Sequence, residues 1–236
     1  CEVHTLFSEQ NLGCREAPAQ AMSWFFEAEA MGIVLEDDCL PSPEFFPFAT
    51  SLLEHFKDDW RVMKINGFNP LGAHYSGSSY FYSYFGYAWG WASWRRAWKY
   101  FSSDISGLAD ELSRLPSLPY PFFKGRLNIV SDLLAGLDAW DFQWELSISA
   151  QHGLQVIPQS SLIQNIGIGP DASHTLRLPL GVQNSGDFSA VLPLSHPGLM
   201  LPDASYERRL LKAGRPRLWR RIKQDIVRML RHVLRP

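Results

Sequence analysis

Cysteine is scarce. The 236 residues contain three, Cys1, Cys14 and Cys39. So few, and an odd number, exclude a disulfide framework and point to a reducing compartment. No Cys/His spacing resembles a zinc site. No apolar run approaches the ~20 residues that span a bilayer, and the first residues do not read as a signal peptide. Internal repeats and low-complexity tracts are missing too. Charged residues make up 19% and the net charge is only −2. That near-neutrality hides a split. Residues 1–205 carry 11 Lys/Arg against 22 Asp/Glu, a balance of −11. Residues 206–236 carry 11 against Glu207 and Asp225, a balance of +9.

What is abundant is apolar and aromatic. Hydrophobic residues reach 46%, aromatics 14%, and there are 9 Trp. A sizeable core follows, and the aromatic excess also suits surfaces that stack on sugars or bases. The chain alternates strand and helix patterns. A strand is expected over 2–7, where Val3, Thr5 and Phe7 alternate with Glu2, His4 and Leu6. A helix over 15–31 follows, stopped by Gly32, then a strand over 33–36 and a helix over 44–57 with Ser42 as N-cap. A strand over 61–66 ends at Asn66-Gly67. This β-α-β-α-β order argues for an α/β layered domain with a largely parallel sheet. Residues 68–91 read as loop with short antiparallel strands. Helices are expected over 92–101, 104–114, 126–136 and 139–151, with a short strand at 156–157. Pro158 to Pro202 reads as loop, and basic helices are expected over 205–213 and 216–234.

The most informative stretch is Ile33-Val34-Leu35-Glu36-Asp37-Asp38. A short apolar strand runs into three carboxylates, which must emerge from the core because adjacent anions cannot be buried unpaired. Such a tripeptide is also common in solvated turns. As a site, it suits a hard divalent cation, which takes carboxylate oxygens and keeps positions open for phosphates. Strand C-termini are also where open α/β sheets bind ligands.

Several further stretches stand in a telling order: Asn11-Leu12-Gly13-Cys14, then 33–41, Trp89-Gly90-Trp91-Ala92-Ser93-Trp94-Arg95-Arg96-Ala97-Trp98, Trp140-Asp141-Phe142-Gln143-Trp144, and Asn165-Ile166-Gly167-Ile168-Gly169 with Ala172-Ser173-His174-Thr175. In this order the chain resembles GT-A-fold nucleotide-diphospho-sugar glycosyltransferases, a bacterial family 2-like group with features of N-acetylglucosaminyltransferase I. The resemblance covers most of residues 1–175. It implies a GT-A-like mixed, mostly parallel sheet flanked by helices over 1–204, while the charge split marks 205–236 as a separate basic amphipathic helical tail.

The resemblance also implies roles. Glu36-Asp37-Asp38 takes the part of the family's Asp-x-Asp motif. Asp38 is then a direct ligand to Mn2+ or Mg2+, Asp37 lies on the metal or its waters, and Glu36 sits near the ribose. Asn11 and Gly13 line the nucleotide pocket, and His174 is a late ligand to metal or diphosphate. An inverting transfer needs a base. Asp141 and Glu145 are the candidates, at i and i+4 on one helix face, with Asp141 favoured because the helix start stabilises its anion. Trp89, Gly90 and Trp91 are assigned to the acceptor pocket, with Trp94 and Trp98 in the core. Arg95 and Arg96 pair with the diphosphate or are surface charges.

The expected function is transfer of a sugar from a nucleotide diphosphate sugar to a glycan or lipid-linked acceptor. A metal-dependent nucleotidyltransferase or an inactive binding remnant are the alternatives. The family's nucleoside-holding strand precedes the strand read at 2–7 and is not among these residues, which predicts weak or absent turnover. The tail's stripe of Leu218, Ile222, Ile226, Met229 and Val233 among arginines suits an anionic lipid surface. A cytoplasmic protein, peripheral at the inner face of the membrane, is the expected setting. Nucleic acid is not expected, since no recognition motif accompanies the charge.

Overall fold

The computed structural model describes residues 2–104, 107, 139–168, 184 and 192–213. The helices expected over 104–114, 126–136 and 216–234, and His174, lie outside the described residues apart from single positions. Twelve elements are described. They are α1 (Gly13–Ala28), β1 (Met31–Val34), β2 (Cys39–Pro41), α2 (Phe45–His55), β3 (Val62–Asn66), β4 (Tyr80–Ser83), β5 (Trp91–Trp94), α3 (Arg95–Trp98), α4 (Asp141–Ala150), β6 (Leu154–Pro158), β7 (Ile163–Asn165) and α5 (Ala204–Ala213). No helix among the described residues is long and apolar enough to cross a membrane.

The main sheet runs β1-β5-β3-β6-β4, and β2 pairs with β7 in a separate ribbon. The sheet is mixed and flanked by helices, as expected. Its predominant direction is not. Only β3–β6 is parallel, while β1–β5, β3–β5 and β4–β6 are antiparallel. The cause is β5. Trp91–Trp94, with 92–94 expected to open a helix, are inserted as an antiparallel strand between β1 and β3, and Arg95–Trp98 turn helical. All four residues of β5 are buried, so the aromatic pattern fits a two-sided strand better than an amphipathic helix.

Both faces of the sheet are covered. On one, Phe45, Phe48, Leu52 and Phe56 around α2 pack on Ile65, Ala92, Trp94 and Val156. On the other, Met22 and Phe26 of α1 meet Trp91, Trp98, Trp140 and Trp144. A third cluster docks α5 through Tyr206 and Leu210 on Phe81 and Ile157. An irregularity between Val62 and Lys64 shifts the β3–β6 register. Met63 faces the tryptophan cluster while Val62 and Ile65 face α2.

Three local expectations fail. Residues 2–7 form no strand, and Val3 and Phe7 are 76% and 88% exposed. Alternation alone does not make a strand where no neighbour supplies the ladder among the described residues. Gly32 does not end α1 but lies inside β1, where a Cβ would strike the Phe25 ring. Ser42 does not cap α2. The flanking residue is Glu44, and the Ser42 hydroxyl is buried without a hydrogen-bond partner.

Candidate metal centre

The carboxylates leave the sheet where β1 ends. Val34 is the last paired residue, opposite Trp91, and Asp37-Asp38 form a turn that leads into β2. The β2–β7 ribbon then fixes Asp38. The Ile166 N–H donates to the Asp38 carbonyl at 2.8 Å. Gly167 lies so close that an added Cβ would sit 2.5 Å from the Asp38 carboxylate. The Asn165 carboxamide accepts from the Gly167 N–H at 2.9 Å. The stretch at 165–167 is thus brought onto the acidic turn from more than 120 residues away.

α4 approaches from the other side. The Trp140 indole donates to the Glu36 carboxylate, and Asp141 is near enough to repel it. Burial, then Asp38, Asp141 and Asp37, push the Glu36 carboxyl up to about 7 against the Trp140 hydrogen bond. Asp141 is also raised, chiefly by burial and further by Glu145. The Phe142 N–H and Lys64 oppose this. The helix start therefore does help the Asp141 anion, but desolvation wins over it.

Glu36, Asp38 and Cys39 offer ligand atoms that all lie within 4.8 Å of one another. The two carboxylates fit a hard cation. The Cys39 thiol does not add to them, because burial pushes it up to about 12 and it donates to Asp38 at 3.6 Å. Mn2+ or Mg2+ held by Asp38 and its neighbours would neutralise the clustered charge and take the oxygens of a diphosphate.

Glu145 stands apart from this rim. It is 6% exposed, and its Oε1 lies 2.6 Å from the Lys64 ammonium, itself 1% exposed. Its Oε2 accepts from the Gln155 amide at 2.8 Å. Gln155 in turn accepts from Asn66, whose Oδ1 accepts from the Tyr87 N–H. Tyr87 lies beside both Glu145 and Asp141, which add to burial in raising its phenol to about 12. Sequence reasoning missed Lys64, Tyr87 and Trp140. The one available signal was a lone lysine inside the strand Val62-Met63-Lys64-Ile65-Asn66, which is buried throughout.

Other expected contacts are redistributed. Trp91 is fully buried and packs against Trp98, Trp140 and Trp144, so it supports the site from within the core and does not line a pocket. Gly90 adopts φ +62°. Its missing Cβ admits the Ile163 side chain, which would lie 2.6 Å from it. Trp89 is half-buried against Phe68 and Tyr87. Arg95 is at the wrong end of the sheet. Its N–H bonds the Ala30 carbonyl, and its Nε donates to the Phe26 carbonyl at 2.6 Å. It closes the C-terminus of α1, roughly 20 Å along the strand direction from Glu36. Arg96 is likewise engaged, donating to the Phe56, Lys57 and Val62 carbonyls and stacking over Trp94. Asn11 accepts from the Gly13 N–H in the turn that opens α1.

The crowded carboxylates make stability depend on pH. Glu36 ionises near 7 when folded and near 4.5 when unfolded. The folded state therefore holds the extra proton between those values, and stability falls as pH rises through about 7. The shift corresponds to about 2 kcal/mol once residual solvent contact is discounted. In chelator, the melting temperature should drop by about 4–8 °C between pH 5 and 8. Millimolar Mn2+ should restore it at pH 8, and Glu36→Gln should flatten the profile. A wild-type profile identical to that of Glu36→Gln would contradict the crowding.

No protein-family model matches the chain, and no curated protein matches it.

Proposed function

We propose that the chain is a metal-dependent glycosyltransferase acting on a nucleotide diphosphate sugar. One observation carries this reading. Residues distant in sequence, Glu36 and Asp38 after β1, Asp141 at the start of α4 and Gly167 after β7, converge on one unbalanced carboxylate cluster at a strand end. Among the described residues, Lys64 is the cation that opposes the charge of Asp141, and that ammonium is paired with Glu145. A divalent cation would offset the carboxylates and keep coordination positions open for the oxygens of a diphosphate.

In this reading Asp38 and Asp37 hold the cation and Glu36 faces the ribose. Asp141 takes the proton of the acceptor hydroxyl as that oxygen bonds to the anomeric carbon. The bond from that carbon to the diphosphate breaks, and the nucleoside diphosphate leaves. A carboxylate raised by burial is a stronger base once ionised. Trp89, held beside Tyr87, would meet the acceptor in this reading.

Product analysis with a labelled nucleotide sugar and Mn2+ tests the reading. Asp141→Asn should lower the transfer rate by roughly 10²–10⁴-fold and leave UDP affinity unchanged. The wild-type rate should rise with pH along a limb above the usual carboxylate range. Release of pyrophosphate with nucleotide incorporated into product would favour a nucleotidyltransferase.

A further inference from the structure

A second cavity lies behind α4, away from the carboxylates. It has a volume of about 810 Å³ and runs between α1 and the turn after α3, within the size range of ligand pockets. Its polar lining includes Gln20 and Ser23 of α1, Ser103, and Gln143 of α4, with Trp24 and Phe101 as apolar walls. Asp141 and Gln143 are two residues apart, about 200° around the helix. The cavity and the carboxylate cluster therefore lie on opposite sides of α4's first turn.

Gln143 is the unexplained feature. It is 1% exposed, and neither its amide nitrogen nor its oxygen has a hydrogen-bond partner among the described residues. A buried carboxamide left bare is strongly unfavourable, so a group of this kind asks for a ligand. The walls are prearranged. Phe101 stacks on Trp98 with centroids 4.5 Å apart. The Trp98 indole donates to the Ser23 hydroxyl, which itself donates to the Ala19 carbonyl. Trp24 remains 39% exposed.

The chemistry narrows the occupant. An apolar molecule would leave Gln143 unsatisfied. An anion would meet Glu16 and Glu27, and among the described residues of the lining Arg15 is the one cationic side chain. A compact cation has no convergent carboxylates, since Glu16 and Glu27 stand three turns apart on α1, roughly 16 Å. A sugar ring carries hydroxyls for carboxamides and an apolar face for indole and phenyl rings. We infer that this groove binds a neutral oligosaccharide through Gln143 and Trp24, separately from the carboxylate cluster.

Calorimetry in chelator, with maltotetraose, chitotetraose and the hits of a neutral oligosaccharide array, tests this without any metal. The wild-type protein should bind at least one neutral oligosaccharide. Trp24→Ala should weaken it tenfold or more. Gln143→Met should weaken it similarly while raising the melting temperature, because the bare carboxamide is gone. Asp38→Asn should bind as wild type does. Absence of any neutral-sugar binding would overturn the proposal, as would wild-type affinity in Trp24→Ala. Equal loss in Asp38→Asn would also overturn it, by placing the sugar at the carboxylate cluster. If Gln143→Met does not fold, Trp24→Ala on the outer face of α1 decides alone.

Discussion

Lys64→Met should cost about 3–5 kcal/mol of stability, lowering the melting temperature by on the order of 10 °C. Both partners of the Lys64–Glu145 pair are buried, and their 2.6 Å contact sits beneath α4 with the Lys64 ammonium 5.8 Å from the Trp91 ring centroid. Methionine keeps the volume but takes the Lys64 ammonium away from the buried Glu145 carboxylate, next to Asp141. Hydrogen bonds from Gln155 and the Gly86 N–H remain on Glu145, yet they do not supply a full positive charge. The double variant Lys64→Met/Glu145→Gln should recover at least half of the loss, because the buried anion that faced the ammonium is then gone. Urea unfolding of the two variants measures this. A loss under 1 kcal/mol in the single variant would show that the ammonium is not desolvated.

The second large effect is on binding. Asp38→Asn should weaken Mn2+-dependent UDP binding roughly 100-fold or more. Even residues that only orient a metal ligand change affinity by about 10–100-fold, and Asp38 is assigned as a ligand itself. The substitution is isosteric, so Gly167 and the Ile166 N–H keep their fit. It also removes the nearest charge that raises Glu36, so the variant should melt higher than wild type at pH 8 in chelator. Calorimetry and thermal melts read both changes. Unchanged UDP affinity in Asp38→Asn would remove the metal centre from the proposed function.

Local pattern made much of this legible beforehand. The periodic Phe45, Phe48, Leu52 and Phe56 announced α2, and the apolar run at 33–35 placed the carboxylates at a strand end. Both held because each element buries the face its own spacing creates. Trp89–Trp98 misled for the opposite reason. Aromatics at helical spacing also satisfy a strand buried on both faces, and neighbours decide between the two. Hence the spacing predicts a helix from residue 92, where the structure continues β5 to Trp94 between β1 and β3.

From the chain alone came the acidic turn, its strand, the helix that carries Asp141 and the charge contrast between body and tail, because these depend on residues within one or two turns of each other. Tertiary structure alone decided which charges meet. It spent Arg95 on the end of α1, locked Glu145 to Lys64 across 81 residues, brought Gly167 to Asp38, and left Gln143 bare beside α1. Electrostatic and hydrogen-bond energies fall off over a few ångströms of space, and no spacing along the chain encodes that distance.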